Sequence, residues 1–168
     1  IDTLVMLPIV NLGSGISTIT AQSCGSGNQM RARNTLISGI MLTLLVSLIL
    51  TIIVIPTGAK IIGLFGAGTT AVMIGDAFFK RIACFYPIFG LDTAFRGYFE
   101  GRGNLVYSSV VGIACLLVRI LASYAMAPWL GNMSIPYAEI VSWVCMFLMY
   151  LLRFVNRKSA RCLDCSSR

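Results

Sequence analysis

Residues 41–56 read MLTLLVSLILTIIVIP, a run with no charged side chain at all. Widened to residues 36–57, the apolar stretch passes the roughly 20 residues that a helix needs to cross a bilayer. In lipid every backbone N–H and C=O must find an internal partner, and a helix supplies them within one segment. Four more stretches outward from this one have the same character. Residues 3–22 are uncharged and contain Pro8, Gly13 and Gly15. Residues 77–99 are interrupted by Lys80, Arg81, Asp92 and Arg96. Residues 105–127 hold one charge, Arg119, and residues 135–152 hold one acid, Glu139. The expectation is an all-α membrane protein, a bundle of about five transmembrane helices. Between the second and third spans, residues 59–76 form a connection whose IIGLF run suggests an interfacial helical turn.

The whole chain agrees with this reading. It is 57% hydrophobic and 11% charged, with a mean hydropathy of +0.86. Soluble domains carry about 25% charged residues, and one core within 168 residues cannot hide so much apolar surface. The lipid bilayer is therefore the first partner. The net charge of +7 does not point to nucleic acid, because the basic residues lie between apolar runs and not along one face. With no His and six scattered acids, the residues that intramembrane hydrolysis or acyl transfer requires are missing, so an enzyme is not expected. The start at Ile1-Asp2-Thr3 lacks a basic region and a small-residue cleavage site, so the first span is not a signal peptide. The chain reads as a piece of something longer.

Lys and Arg accumulate in cytoplasmic loops. With the C-terminus inside, nine basic residues fall on the inner side: Arg31, Arg33, Arg96, Arg102, Arg153, Arg157, Lys158, Arg161 and Arg168. Only Lys60, Lys80 and Arg81 fall outside. That bias places the C-terminus in the cytoplasm of a multi-pass protein of the cell membrane. Residues 1–155 then form a transmembrane lobe and residues 156–168 a basic cytoplasmic tail. The tail contains Cys162-Leu163-Asp164-Cys165, a single CxxC with no His and no second pair, too few ligands for zinc. No metal or cofactor is expected.

Two inner ends echo each other: Gly25-Ser26-Gly27-Asn28, followed by Arg31 and Arg33, and Gly101-Arg102-Gly103-Asn104. Each is a helix-ending turn in which Gly tolerates positive φ, and together they suggest a weak internal repeat. Gly97-x-x-x-Gly101 is a spacing that lets helices approach closely, although it encloses Glu100 at the inner boundary.

The stretch GSGISTITAQSCGSGNQMRAR resembles a signature of the multidrug and toxic compound extrusion (MATE) transporters, through Ala21, Gln22, Gly25, Gly27, Arg31 and Arg33. FGAGTTAVMIGDAFFKRIACFYPIFGLDTAFRGYFEGRGN resembles the family's tenth helix with its approach, with Gly101 and Gly103 in its closing turn. LLVRILASYAMA and MYLLRF resemble the eleventh and twelfth. Ser26, Arg102 and Asn104 depart from the usual residues of those turns. The resemblance covers roughly residues 10–155. It implies the C-terminal part of a two-lobed, 12-helix antiporter that lacks its N-terminal lobe here, exporting small organic cations in exchange for Na⁺ or H⁺. A lipid-linked oligosaccharide flippase of the same superfamily is the alternative, and it calls for several cavity Arg or Lys residues. An inactive truncated remnant is the other.

Asp92 is the residue that stands out, an acid near mid-membrane, where ionisable groups are costly and mark function. It is either an ion-coupling site or one half of a structural pair with Arg96 or Arg119. Pro87 and Gly90 at the same depth suggest a hinge, since Pro removes a backbone bond and kinks a helix. Tyr86, Phe89 and Phe95 are candidates to line a cavity for flat cations, or else they simply fill space. Arg119 reaches an acid or a wet cavity, and Glu139 is expected to snorkel to the interface.

Overall fold

Our computed structural model describes residues 2–64 and 68–165, with side chains apart from those of residues 2, 64, 70, 71, 132 and 157–165. Among these residues there are six α-helices: α1 (Asp2–Gly25), α2 (Gln29–Leu64), α3 (Thr69–Ala83), α4 (Tyr86–Gly101), α5 (Leu105–Leu130) and α6 (Ser134–Cys165). A 3-10 turn, Gly131–Met133, joins the last two. The all-helical bundle expected from the apolar runs is present. Among the described residues, four helices, α1, α2, α5 and α6, are long and apolar enough to cross a membrane.

Two expectations about the middle of the chain need correction. The connection at residues 59–76 is mostly helix, because α2 continues through Pro56 to Leu64. At 1.5 Å per residue its 36 residues reach about 54 Å. The third span, expected at residues 77–99 with a kink at Pro87, is instead two helices of 15 and 16 residues broken at Cys84-Phe85. Pro87 lies in the first turn of α4. There its missing N–H costs nothing, because the first helical N–H groups have no intrahelical partner. The Thr51 hydroxyl of α2 donates to the Ala83 carbonyl at 2.8 Å, satisfying a group that the break leaves open.

α4 is the central element, packing on α1, α2, α5 and α6. Glycine makes its contact with α1 possible. A Cβ on Gly97 would overlap the Gly13 carbonyl oxygen, and one on Gly101 would overlap the carbonyl of Ser17. The spacing Gly97-x-x-x-Gly101 is therefore the seat of α1, despite the acid within it. Gly90 serves α2 in the same way, since a Cβ there would stand 3.1 Å from the Thr43 carbonyl oxygen. One core cluster gathers Ile16, Leu36, Phe95, Phe99, Val111 and Tyr150, and a second gathers Met6, Val54, Phe79, Ile82, Tyr86 and Trp143. α5 and α6 run antiparallel, tied by Tyr107 Oη to the Met149 carbonyl at 2.8 Å and by Ser142 Oγ to the Cys115 carbonyl at 3.0 Å.

The two glycine turns share one hydrogen-bond pattern at an offset of 76 residues. Asn28 N–H donates to Ser23 O at 2.9 Å and Gly27 N–H to Cys24 O at 3.1 Å. Asn104 N–H donates to Phe99 O at 3.0 Å and Gly103 N–H to Glu100 O at 2.9 Å. Each is a helix end closed by a left-handed glycine, Gly27 at φ 73° and Gly103 at φ 79°. The turns are also joined to each other, since Arg102 donates to Gln29 Oε1 at 3.0 Å and to Tyr98 Oη at 2.6 Å. Gly103→Ala is expected to lower stability by about 1–2 kcal/mol, because a Cβ resists the left-handed region. Gly15→Ala, at a helical site with open space around it, is the matched control and should not lower the thermal midpoint in detergent.

Candidate ion and substrate site

Asp92 sits in the middle of α4, about 14 Å from the glycine-turn end. It is fully buried, and neither carboxylate oxygen has a hydrogen-bond partner among the described residues. Both candidate cations are committed elsewhere. Arg96 Nε donates to Glu100 Oε1 at 2.7 Å, and Arg119 lies 3.0 Å from Glu139 Oε1. The structural pair considered for Asp92 is thus not formed. Arg96 remains 59% exposed beside Glu100, so it keeps hydration that it would lose against a fully buried acid. An unpaired buried carboxylate is expensive, and that cost is what makes Asp92 the strongest candidate to take up a cation or a proton.

Glu139 does not snorkel. It is buried on α6 and paired across to Arg119 of α5, so Arg119 takes the first of its two expected roles, reaching an acid. Among the aromatic candidates, Tyr86 and Phe95 are buried in the two core clusters, Phe95 edge-on to Phe147 and Phe154. Phe89 lines a cleft, with its ring 5.1 Å from that of Trp143. Arg31, Arg33 and Gln22 are exposed at the glycine-turn end. Cys162 and Cys165 lie outside the residues with described side chains.

The cleft beside Phe89 has a volume of about 130 Å³, between α1, α4 and α6, and is lined by Ser14, Thr93, Arg96 and Glu100 among others. A second, of about 230 Å³, opens on the other side of Arg96 toward Ser108, Gly112 and Tyr150. A polar relay connects them: Ser108 Oγ donates to Glu100 Oε1 at 2.8 Å and lies 3.1 Å from Tyr150 Oη. Glu100 was not singled out from the sequence. Its spacing of four from Arg96 is the signal that places two opposite charges on one helix face.

The sequence profile of the MatE family matches residues 1–125, well over half of the chain. The chain belongs to the MatE family. It is 25% identical over 156 residues to the probable multidrug resistance protein YoeA of Bacillus subtilis, covering 89% of this chain and 34% of that protein. It is also 25% identical over 136 residues to the probable multidrug resistance protein YpnP of the same organism, covering 80% of this chain and 31% of that one. Among solved structures, an inward-facing multidrug resistance MATE family transporter of the MOP superfamily superposes with a TM-score of 0.81 at 19% identity, covering 88% of this chain and 34% of the other. The chain thus spans about a third of the length of these MatE relatives. It is a multi-pass membrane protein and a partial chain of a transporter fold, not an enzyme.

Proposed function

We propose that this chain is part of a secondary antiporter that expels organic cations in exchange for Na⁺ or H⁺, with Asp92 as the ion-coupling carboxylate. Membership of the MatE family and the multidrug names of two relatives support the substrate class. The observation that carries the coupling role is a fully buried acid whose two oxygens lack a partner, since ionisable groups at such depth mark ion pathways. The rest of the two-lobed protein supplies the other walls of the pathway. The bias of Arg and Lys toward the glycine-turn end supports a cytoplasmic C-terminus in the cell membrane. The flippase alternative loses ground, because Arg96 and Arg119 are each held by an acid and neither is left to bind a pyrophosphate.

The test is transport of a cationic dye by the complete protein in proteoliposomes under an imposed Na⁺ gradient or an imposed pH gradient. One gradient should accelerate dye movement several-fold. If neither gradient moves the dye faster than protein-free vesicles, the antiporter reading fails.

A further inference from the structure

Lys80, Arg96 and Arg119 are each paired with an acid. At the glycine-turn end the arrangement is different, because Arg33 of α2 and Arg102 of α4 have no ion pair among the described residues. Arg102 holds two neutral groups, Tyr98 Oη at 2.6 Å and Gln29 Oε1 at 3.0 Å. Glu100, the acid nearest to it in sequence, is engaged by Arg96 and Ser108. Arg33 follows Gln29 by four residues, so the two side chains leave the same face of α2 with Cβ atoms about 6 Å apart. Gln29 thus has the Arg102 guanidinium bonded to it and Arg33 beside it. Two positive charges gather around one neutral amide, and no acid compensates them.

Beyond Arg33, α2 continues with Ile37, Met41 and Leu45 at steps of four, along one side of the helix. They are 49%, 69% and 57% exposed. From Arg33 to Leu45 the rise is about 18 Å, close to half of the roughly 30 Å hydrocarbon core of a bilayer. Arginines at the rim of an apolar track one leaflet long match the parts of a phospholipid. Guanidinium N–H groups suit phosphate oxygens, and the track suits an acyl chain. A zwitterionic head group brings its own cation, which competes for the phosphate. An anionic head group does not.

We propose that Arg33 and Arg102 hold the phosphate of an anionic phospholipid, with its acyl chain along Ile37, Met41 and Leu45. The lipid lies in the leaflet on the glycine-turn side. It neutralises the joined ends of α2 and α4, a task that no acid of the described residues performs.

The probe is phosphatidylglycerol, titrated into the complete protein in mild detergent and counted as retained lipid by native mass spectrometry, beside phosphatidylcholine with the same chains. The wild-type protein should bind phosphatidylglycerol about tenfold more tightly. Arg33→Gln and Arg102→Gln should each weaken it about fivefold, the worth of one basic residue near an anionic surface. Arg33 has no side-chain bond among the described residues, so its variant tests the site even where Arg102→Gln loosens the turns. Arg31→Gln removes the same charge on nearly the opposite side of α2 and should leave binding unchanged. Equal binding of the two lipids, or an equal loss from Arg31→Gln, would reduce the site to general surface attraction and overturn it. Displacement of the lipid by millimolar inorganic phosphate would make it a site for free anions and overturn it as well. A wild-type protein that retains no phosphatidylglycerol, because the other lobe covers the track, sinks the proposal and leaves the antiporter reading untouched.

Discussion

Asp92→Asn in the complete protein is expected to abolish ion-driven efflux, at least a hundredfold, while raising the thermal midpoint of unfolding in detergent. The two halves of this result depend on the same fact. Asp92 has no cation and no hydrogen-bond donor among the described residues, so its charge costs the fold and gains nothing in return. An acid at the centre of a membrane helix is disfavoured by about 2.5–3.5 kcal/mol on insertion scales. Asparagine keeps the shape and removes that term. A structural acid behaves in the opposite way, since breaking a buried pair leaves an uncompensated charge and costs roughly 3–5 kcal/mol. Counterflow of labelled dye against an ion gradient measures the first half, and intrinsic-fluorescence melting measures the second. A destabilised variant with unchanged efflux would remove Asp92 from the mechanism.

The largest effect on folding is expected from Gly97→Leu. The carbonyl of Gly13 already fills the place of a Cβ at position 97, and that neighbour is backbone, which cannot rotate away. α1 would have to lift off α4 along the contact that Gly97 and Gly101 share. Overpacking of this kind costs about 3 kcal/mol, the upper end of its usual range, and the face it disrupts is the main seat of α1. Little folded protein should survive extraction in mild detergent, as read by the monodisperse fraction in size-exclusion chromatography. Gly112→Leu, where no atom stands near the added carbon, should leave that fraction unchanged. Equal recovery of both variants would show that α1 and α4 do not need their close approach.

Much of this architecture was legible because lipid imposes a simple rule on sequence. Mostly apolar runs of the right length become helices, and α1, α2, α5 and α6 follow their apolar stretches with ends displaced by a few residues or extended into polar flanks. The third span was harder. Its charges and its Pro87 signalled an irregularity, but a proline suits a helix start as well as a kink, and only the neighbour decides. Here Thr51 of α2 stabilises the end of α3 at Ala83 and turns the irregularity into a break. The site was legible in the same uneven way. Asp92 was found because an acid inside an apolar run is conspicuous whatever surrounds it. Its lack of a partner was not, since Arg96 can reach an acid four residues before it or four after. The tertiary contact of Ser108 with Glu100 breaks that tie. For Arg119 and Glu139, the missing knowledge was how α5 and α6 register against each other, which sequence spacing does not contain.

The bond from Arg102 to Gln29 bears on how the molecule moves. It clips the start of α2 to the end of α4, so the two hairpin bends at that end of the bundle are held side by side. The opposite end of α4, where Cys84 and Phe85 interrupt the helix, is tied to α2 as well, through Thr51 and Ala83. α2 is thus tethered beside both ends of α4, with the buried Asp92 between the two ties.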